Sequence, residues 1–281
     1  MTSDYHPQNE RRPWRTDDEW DHLRERIEAA EASRGPRRNM RGAVAAAAAV
    51  VFAATLSIVW QNAHLKRETP RVATTGAGER IVLQLADSSV VTLGPASSLQ
   101  YVIAGHRREI TLDGLADFKV VHDESRPFVV HAKNAVATDL GTRFVVRAYA
   151  SDATVQVAVT DGVVSLRGSD TTRVELRAGD VGQVGATGPV ARDANQSAAT
   201  RAAWVEGRLV FDDESLASVA EELSRWFDVD IRVAGSTLRN RSVSAVYNNP
   251  SLSGVIDALQ ATLGLRVERV GRTITISERV R

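Results

Sequence analysis

Apolar and polar residues alternate with a period of two from Arg80 to about Val184. The alternation is clearest in the segments ERIVLQL near the start and TVQVAV near the end of this region. Dipeptides typical of turns separate the apolar runs, and they include Asp87-Ser88, Asp113-Gly114 and Asp161-Gly162. The pattern predicts about ten short strands with no helix between them, and therefore an all-β sandwich, barrel or coil of strands.

The pattern changes between Trp204 and Ile276, where strands alternate with helices. The segments DDESLASVAEELSRWF and SLSGVIDALQATLG place apolar residues at helical spacing, and short β-prone runs precede and follow each of them. The region predicts a small α+β domain of two βαβ units.

An uncharged segment from Gly42 to Trp60 stands apart from both regions. Its nineteen residues would form a helix about 28 Å long, close to the thickness of the hydrocarbon core of a bilayer. Four arginines precede it, namely Arg34, Arg37, Arg38 and Arg41. The charge asymmetry predicts a single transmembrane helix with the preceding residues in the cytoplasm. A cleaved signal peptide and a buried Ala-rich helix are the alternatives.

The N-terminal segment contains a second predicted helix, from Thr16 to about Ala32. Its apolar residues Trp20, Leu23 and Ile27 form one stripe on an otherwise charged surface. An isolated helix of this length is marginally stable in water, so the stripe predicts a partner that covers it. The alternative is a disordered tail.

The sequence thus predicts a multi-part chain: a short cytoplasmic helix, a single transmembrane helix, an all-β periplasmic domain and an α+β C-terminal domain. The predicted segments are a cytoplasmic tail at 1–41, the transmembrane helix at 42–60, a linker at 61–77, the β domain at 78–184, a linker at 185–203 and the C-terminal module at 204–281.

Composition argues against several classes of function. Basic and acidic residues are equal at 35 each, which gives no general attraction to nucleic acid. The chain has no cysteine, which excludes disulfides and thiolate metal sites. The six histidines lack metal-binding spacing, and His122, followed by Asp123 and Glu124, is better explained by a solvated turn. We therefore expect no cofactor, no metal and no conventional enzyme activity.

A series of motifs in the β region resembles the FecR family of inner-membrane anti-sigma regulators. In order along the chain, the motifs are GER, LADSSVVTLGPASSLQY, REITLDGLADFKV, RPFVV, LGTRFVV, VAVTDGVV and ELRAGD. The C-terminal region is similar to the signalling-domain-like module that often closes these proteins, which is related to the short N-terminal domain of TonB-dependent transducers and secretins. In one departure, Ala86-Asp87-Ser88 stands where the family more often has Pro-Asp-Gly.

The resemblance implies a signalling function. The stripe of Trp20, Leu23 and Ile27 would bind an extracytoplasmic-function sigma factor in the cytoplasm. The periplasmic part would receive a signal from the signalling domain of an outer-membrane TonB-dependent transporter, with iron uptake as the commonest theme. The alternative is a membrane-anchored periplasmic binding or scaffold protein that does not bind a sigma factor.

The pair Gly141-Thr142 in the segment VATDLGTRFVV has two interpretations. The residues alone favour a bulge or tight turn before a strand. The resemblance implies self-cleavage, because some members of the family cleave themselves at this Gly-Thr pair. In that reaction the threonine hydroxyl attacks the preceding carbonyl, and the resulting ester hydrolyses.

Overall fold

The computed structural model describes residues 69–169, 172–186 and 190–279, together with residues 24–26, 28–29, 52, 54–55 and 57. The chain divides into two compact units, Met1–Arg67 and Glu68–Arg281. In the first unit, all the described residues are helical and exposed.

The predicted fold class is wrong in its transmembrane helix. Among the residues that the structure describes, no helix is long and apolar enough to cross a membrane. Of the predicted segment 42–60, only Phe52, Ala54, Thr55 and Ser57 are described, and the rest of that segment lies outside the described residues.

The part of the second unit from residue 71 to residue 192 is built from strands. They are β1 (Arg71–Thr74), β2 (Ile81–Gln84), β3 (Val90–Leu93), β4 (Ser98–Ala104), β5 (Arg107–Lys119), β6 (Phe128–Ala132), β7 (Ala135–Asp139), β8 (Arg143–Ala148), β9 (Thr154–Asp161), β10 (Val163–Arg167), β11 (Arg173–Arg177), β12 (Val181–Gly185) and β13 (Val190–Arg192).

Strand β5 joins two sheets, because its two halves pair with different strands. The first half pairs with β4 and β6, and the second half pairs with β3 and β8. One sheet has the order β11-β10-β7-β6-β5-β4-β1, and the other has the order β13-β12-β9-β8-β5-β3-β2. Gly114 lies where β5 passes between the sheets, with φ at +119°.

The core of this β domain lies between the two sheets. Phe118 on the second half of β5 stacks on Phe144 of β8 at 5.2 Å between ring centroids. It also meets the ring of Phe128, on β6 of the other sheet, edge to face at 5.9 Å. All three rings are fully buried, so the inward-facing positions of the alternating pattern fill one apolar layer.

The segment predicted as a linker at 185–203 contains regular structure. It includes β13 and helix α1 (Ala198–Ala202), and a 3₁₀ turn follows at Ala203–Glu206. The C-terminal module then comprises β14 (Arg208–Ser215), α2 (Leu216–Phe227), β15 (Asp230–Val233), α3 (Ser236–Arg239), β16 (Ser242–Asn248), α4 (Leu252–Leu263), β17 (Leu265–Val270) and β18 (Thr273–Glu278).

The prediction of two βαβ units in this module is wrong. Strand β14 pairs antiparallel with β16 in a sheet of two strands, while β15 pairs with β18 in a separate sheet of order β15-β18-β17. The strands on either side of α2 therefore lie in different sheets, and the same holds for α4. A βαβ unit requires both flanking strands in one sheet.

Helices α2 and α4 are each capped by a serine and bury one face. The hydroxyl of Ser215 accepts from the backbone N–H of Ser218, and that of Ser251 accepts from Gly254. Such caps satisfy backbone donors that have no partner inside the helix. The buried faces of both helices contribute to one apolar core with both sheets of the module.

The β domain and the C-terminal module meet through buried side chains. Trp204 packs in a third apolar cluster with Tyr149 and other residues of the β domain. Arg147 on β8 bonds Glu222 on α2 at 2.7 Å and Asp152 at 2.9 Å. Burial alone would lower the pKa of Arg147, but these two carboxylates raise it, so the guanidinium remains charged.

Candidate functional site

Gly141 and Thr142 lie in the connection between β7 and β8. Strand β7 belongs to one sheet of the β domain and β8 to the other, so the chain crosses between the sheets at this pair. Gly141 has φ at +150°, a backbone conformation that side chains with a β-carbon rarely adopt. The connection therefore needs glycine at this position.

His122 gives a second reason for glycine at position 141. A β-carbon on Gly141 would lie 2.5 Å from the Cα atom of His122 and 2.6 Å from its Nδ1 atom. Both distances are far below van der Waals contact, so the residue between Leu140 and Thr142 must lack a side chain. The backbone also ties the two loops together, because Asp123 N–H donates to the Leu140 carbonyl at 2.8 Å.

Asp139, at the end of β7, accepts hydrogen bonds from two backbone N–H groups of the turn. Its Oδ1 accepts from the N–H of Gly141 at 2.9 Å, and its Oδ2 accepts from the N–H of Thr142 at 3.2 Å. The residue is 1% exposed. Asp and Asn commonly bond backbone N–H groups two residues along a turn, and this preference is the one signal by which the sequence could have identified Asp139.

The side chain of Thr142 is buried, and its hydroxyl is not engaged. Thr142 is 7% exposed, and within the described part of the chain its Oγ1 atom has no hydrogen-bond partner. A β-carbon on Gly162 would lie 2.4 Å from Thr142 Cγ2, so the methyl group packs closely on that glycine. The carbonyl of Thr142 accepts from Val120 N–H at 2.9 Å.

The loop that carries His122 is fixed by its own polar contacts. Hydrogen bonds from Ser125 and Arg126 lower the pKa of Asp123 to about 2, so its carboxylate is ionised at neutral pH. His122 Nε2 lies 3.7 Å from the carboxylate of Glu124. Across residues 69–169, 172–186 and 190–279, no three His, Asp or Glu side chains are grouped as metal ligands.

A threonine hydroxyl and the carbonyl of the preceding residue are the two groups that an N→O acyl shift uses. The bond between Gly141 and Thr142 has an unengaged hydroxyl on its nitrogen side and glycine on its acyl side. The turn is held by backbone bonds and by a buried carboxylate, which limits the conformations open to the bond. Restricted geometry of this kind favours intramolecular attack. The sequence singled out Gly141 and Thr142, but not Asp139.

The other predicted site residues cannot be placed in the same way. Trp20, Leu23 and Ile27 lie outside the described residues. Of their neighbours, Arg24–Arg26 and Glu28–Ala29 are helical and exposed. The sigma-binding stripe remains a prediction.

Comparison with known proteins identifies two family segments in the chain. Residues 71–165 match the model described as FecR protein, and residues 208–276 match the model described as FecR, C-terminal. The first segment contains the Gly141-Thr142 turn, and the two together cover more than half of the chain. No curated protein matches this chain in sequence.

Solved structures with a similar fold are also known. Two crystal structures of a protein described as a "putative anti-sigma factor" from Parabacteroides distasonis ATCC 8503 match with TM-scores of 0.69 and 0.70. Each is 25% identical to this chain, and each match covers 75% of this chain and 100% of the other chain.

Proposed function

The chain belongs to the FecR family, and from this membership we propose that it is an anti-sigma regulator. The main support for this proposal is that both FecR segments occur, in order, on one compact unit. The structural similarity to the anti-sigma factor candidate of Parabacteroides distasonis supports it, because that similarity extends over all of the other chain.

The proposed partner in the cytoplasm is an extracytoplasmic-function sigma factor. We assign its contact to the stripe of Trp20, Leu23 and Ile27, because an apolar stripe on a charged helix needs a complementary groove. Leu23→Glu would place a charge in the contact, and we expect it to release the target genes from repression.

A reporter fused to a promoter of that sigma factor tests this assignment. Ala29→Glu is the matched control, because Ala29 lies on the opposite face of the predicted helix and is exposed. Repression lost with Leu23→Glu and kept with Ala29→Glu would support the regulator. A reporter that responds to neither variant, nor to deletion of the protein, would favour the alternative of a periplasmic binding or scaffold protein.

The proposed partner on the other side is the signalling domain of an outer-membrane TonB-dependent transporter. Two sheet edges of the C-terminal module support a partner of this kind. In the described structure β16 pairs only with β14, and β17 pairs only with β18. Val246 on β16 is 61% exposed, and an open edge with exposed apolar residues can accept a strand.

Capture of the purified signalling domain by the full chain tests this contact. We expect Val246→Asp to weaken capture at least tenfold. Val163→Asp is the matched control, since Val163 is an exposed valine of the β domain, on β10. Equal capture by both variants would contradict a contact at β16.

We place the protein at the inner membrane, with residues 1–41 on the cytoplasmic side and the two FecR segments on the periplasmic side. The support is the usual membrane association of FecR proteins. The absence of cysteine makes the topology measurable with single-cysteine variants. A membrane-impermeant thiol reagent applied to whole cells with a permeable outer membrane should label Ser169→Cys and leave Ala29→Cys unlabelled.

We also propose that the chain cleaves itself between Gly141 and Thr142. Thr142 Oγ attacks the Gly141 carbonyl carbon, and the C–N bond breaks. The hydroxyl proton moves to the nitrogen, which leaves an ester and a free amine on Thr142. Water then hydrolyses the ester, giving a carboxylate at Gly141 and restoring the hydroxyl. The unengaged Oγ1 atom and the restrained turn support this step.

Intact-mass measurement of the purified protein tests the cleavage. The products, residues 1–141 and 142–281, are nearly equal in length and are therefore better distinguished by mass than by gel mobility. Thr142→Ala should remain intact, and Thr142→Ser should still cleave because it keeps a hydroxyl. A wild-type protein that stays intact would contradict self-cleavage without bearing on sigma binding.

A further inference from the structure

The carboxylate of Asp139 contacts the nitrogen of the bond proposed to break. Its Oδ2 atom lies 3.2 Å from Thr142 N, and its Oδ1 atom lies 2.9 Å from Gly141 N. The carboxylate thus accepts the N–H groups on both sides of the Gly141 carbonyl.

Asp139 is also a buried acid without a basic partner. It is 1% exposed, and within the described residues no Arg, Lys or His lies within salt-bridge distance of it. The two buried carboxylates Asp87 and Asp117 differ, since each pairs with an arginine. Burying a carboxylate is unfavourable unless the structure compensates for it, and in the described residues the two backbone N–H groups of the turn provide that compensation for Asp139.

The acyl shift would place positive charge beside this carboxylate. After Thr142 Oγ attacks the Gly141 carbonyl carbon, the Thr142 nitrogen takes up the hydroxyl proton and carries positive charge while its bond to that carbon breaks. The electron pair of the bond stays on the nitrogen, which becomes an amine. In the unreacted turn this nitrogen lies 3.2 Å from Asp139 Oδ2. A preorganised negative charge at the place where positive charge develops lowers the barrier of a reaction, because it acts more strongly in the transition state than in the ground state.

We propose that Asp139 is a catalytic residue of this self-cleavage, which stabilises the charge that develops on the Thr142 nitrogen during the acyl shift. The inference rests on the proposed cleavage between Gly141 and Thr142. It assigns Asp139 to the shift itself, and it leaves the later hydrolysis of the ester to water.

Asp139→Asn tests the role, because it keeps the shape and a carbonyl acceptor but removes the charge. Removal of one preorganised group that stabilises charge in the transition state typically slows a reaction by about a hundredfold or more, and we expect a loss of that size in the rate of fragment formation by the full chain. Asp193→Asn is the matched control. Asp193 also accepts a backbone N–H two residues along its turn, from Asn195 at 3.0 Å. The Asp193→Asn protein should cleave itself at the wild-type rate.

Hydroxylamine distinguishes the shift from the hydrolysis, since it cleaves esters rapidly and ordinary peptide bonds slowly. If Asp139 acts in the shift, Asp139→Asn forms little ester and hydroxylamine restores no fragments. Restoration of fragments by hydroxylamine would assign Asp139 to hydrolysis and overturn the proposal. Cleavage of Asp139→Asn within threefold of the wild-type rate would overturn it as well.

A thermal melt of each variant checks the fold. If Asp139→Asn fails to fold, Asp139→Ser replaces it, because the serine hydroxyl can still accept one backbone N–H of the turn. Fragments formed by Asp139→Ser at the wild-type rate would contradict the proposal, and a folded variant that stays intact would support it. An intact wild type would instead refute the cleavage itself, and with it any role for Asp139 in it.

Discussion

At the scale of single residues, the Gly141-Thr142 pair has its properties because of three neighbours. His122 occupies the space of a side chain at position 141, Asp139 holds the two N–H groups, and Gly162 packs on the threonine methyl group. His122 reaches the turn from a loop nineteen positions earlier in the chain. Sequence spacing cannot reveal such a contact, so the sequence predicts only a solvated turn at His122.

Gly141→Ala tests the fit of this turn. We expect it to destabilise the fold by about 3 kcal/mol, since it adds a clash with His122 to an unfavourable φ. Gly179→Ala is the matched control, because Gly179 also has a positive φ but nothing within 4 Å of an added β-carbon. Gly179→Ala should lower the free energy of unfolding by about 1 kcal/mol, the cost of the unfavourable φ alone. If urea unfolding shows equal losses of unfolding free energy for Gly141→Ala and Gly179→Ala, the close contact with His122 would be contradicted.

Asp117 gives a pH-dependent prediction. Burial raises the pKa of this carboxyl, and the hydrogen bonds from Arg143 offset the effect only in part. A pKa that is higher in the folded state makes the ionised group a cost to folding above that pKa, and the cost disappears as the pH falls. Asp117→Asn should therefore melt about 2 °C above the wild type near pH 7, with the difference gone near pH 3.

Asp123→Asn is the control for Asp117→Asn, and it should lower the melting temperature near pH 7 where Asp117→Asn raises it. The pKa of Asp123 is lowered to about 2, so its charge stabilises the fold at neutral pH and this contribution is lost below about pH 4. A melting temperature of Asp117→Asn below that of the wild type at pH 7 would contradict a raised pKa for Asp117.

At the scale of elements, the alternating pattern predicts strands well but predicts their partners poorly. The sequence predicts a turn at Asp113-Gly114, yet the pair lies inside β5. A β-carbon on Gly114 would lie 2.2 Å from Ser97 Oγ, so the glycine permits a close approach where the strand passes between sheets. The Gly-containing dipeptide is the same in a turn and in such a bend, and only tertiary contacts distinguish them.

Strand pairing in the C-terminal module shows the same limit. A strand-helix-strand pattern gives the order of the elements, but it does not give the sheet to which each strand belongs. Two βαβ units are the simplest interpretation of that order. The structure instead pairs β14 with β16 across α2, β15 and α3, and residues of both sheets of the module share one apolar core.

The start of β5 depends on one buried arginine. Arg108 is 1% exposed, and its guanidinium donates to Asp87 Oδ2 at 2.8 Å and to the Val121 carbonyl at 2.7 Å. Arg108→Met would leave the Asp87 carboxylate buried without a cation. We expect the free energy of unfolding, measured in urea, to fall by about 3–5 kcal/mol.

The neighbouring Arg107→Met provides the comparison. Arg107 forms an exposed ion pair with Glu109, and such pairs contribute about 0–1 kcal/mol. Similar losses for the two variants would contradict a structural role for the buried pair.

At the scale of the whole molecule, cleavage between Gly141 and Thr142 would not separate the two halves. Strand β5 before the site pairs with β8 after it, from Gly114↔Ala148 to Lys119↔Arg143, and β7 pairs with β10 in the same way. The buried layer between the sheets also contains residues from both halves. The two fragments should elute together in native size exclusion and separate only in denaturant. Separation under native conditions would contradict this two-sheet core.

Capture of a sigma factor is the experiment that bears most closely on the proposed function of the chain as an anti-sigma regulator. The tagged full-length protein, extracted from membranes of its source organism, should retain one extracytoplasmic-function sigma factor that mass spectrometry identifies. Leu23→Glu should lose it, and Ala29→Glu should keep it. A wild-type protein that retains no sigma factor, under conditions in which its other partners are captured, would contradict the anti-sigma function.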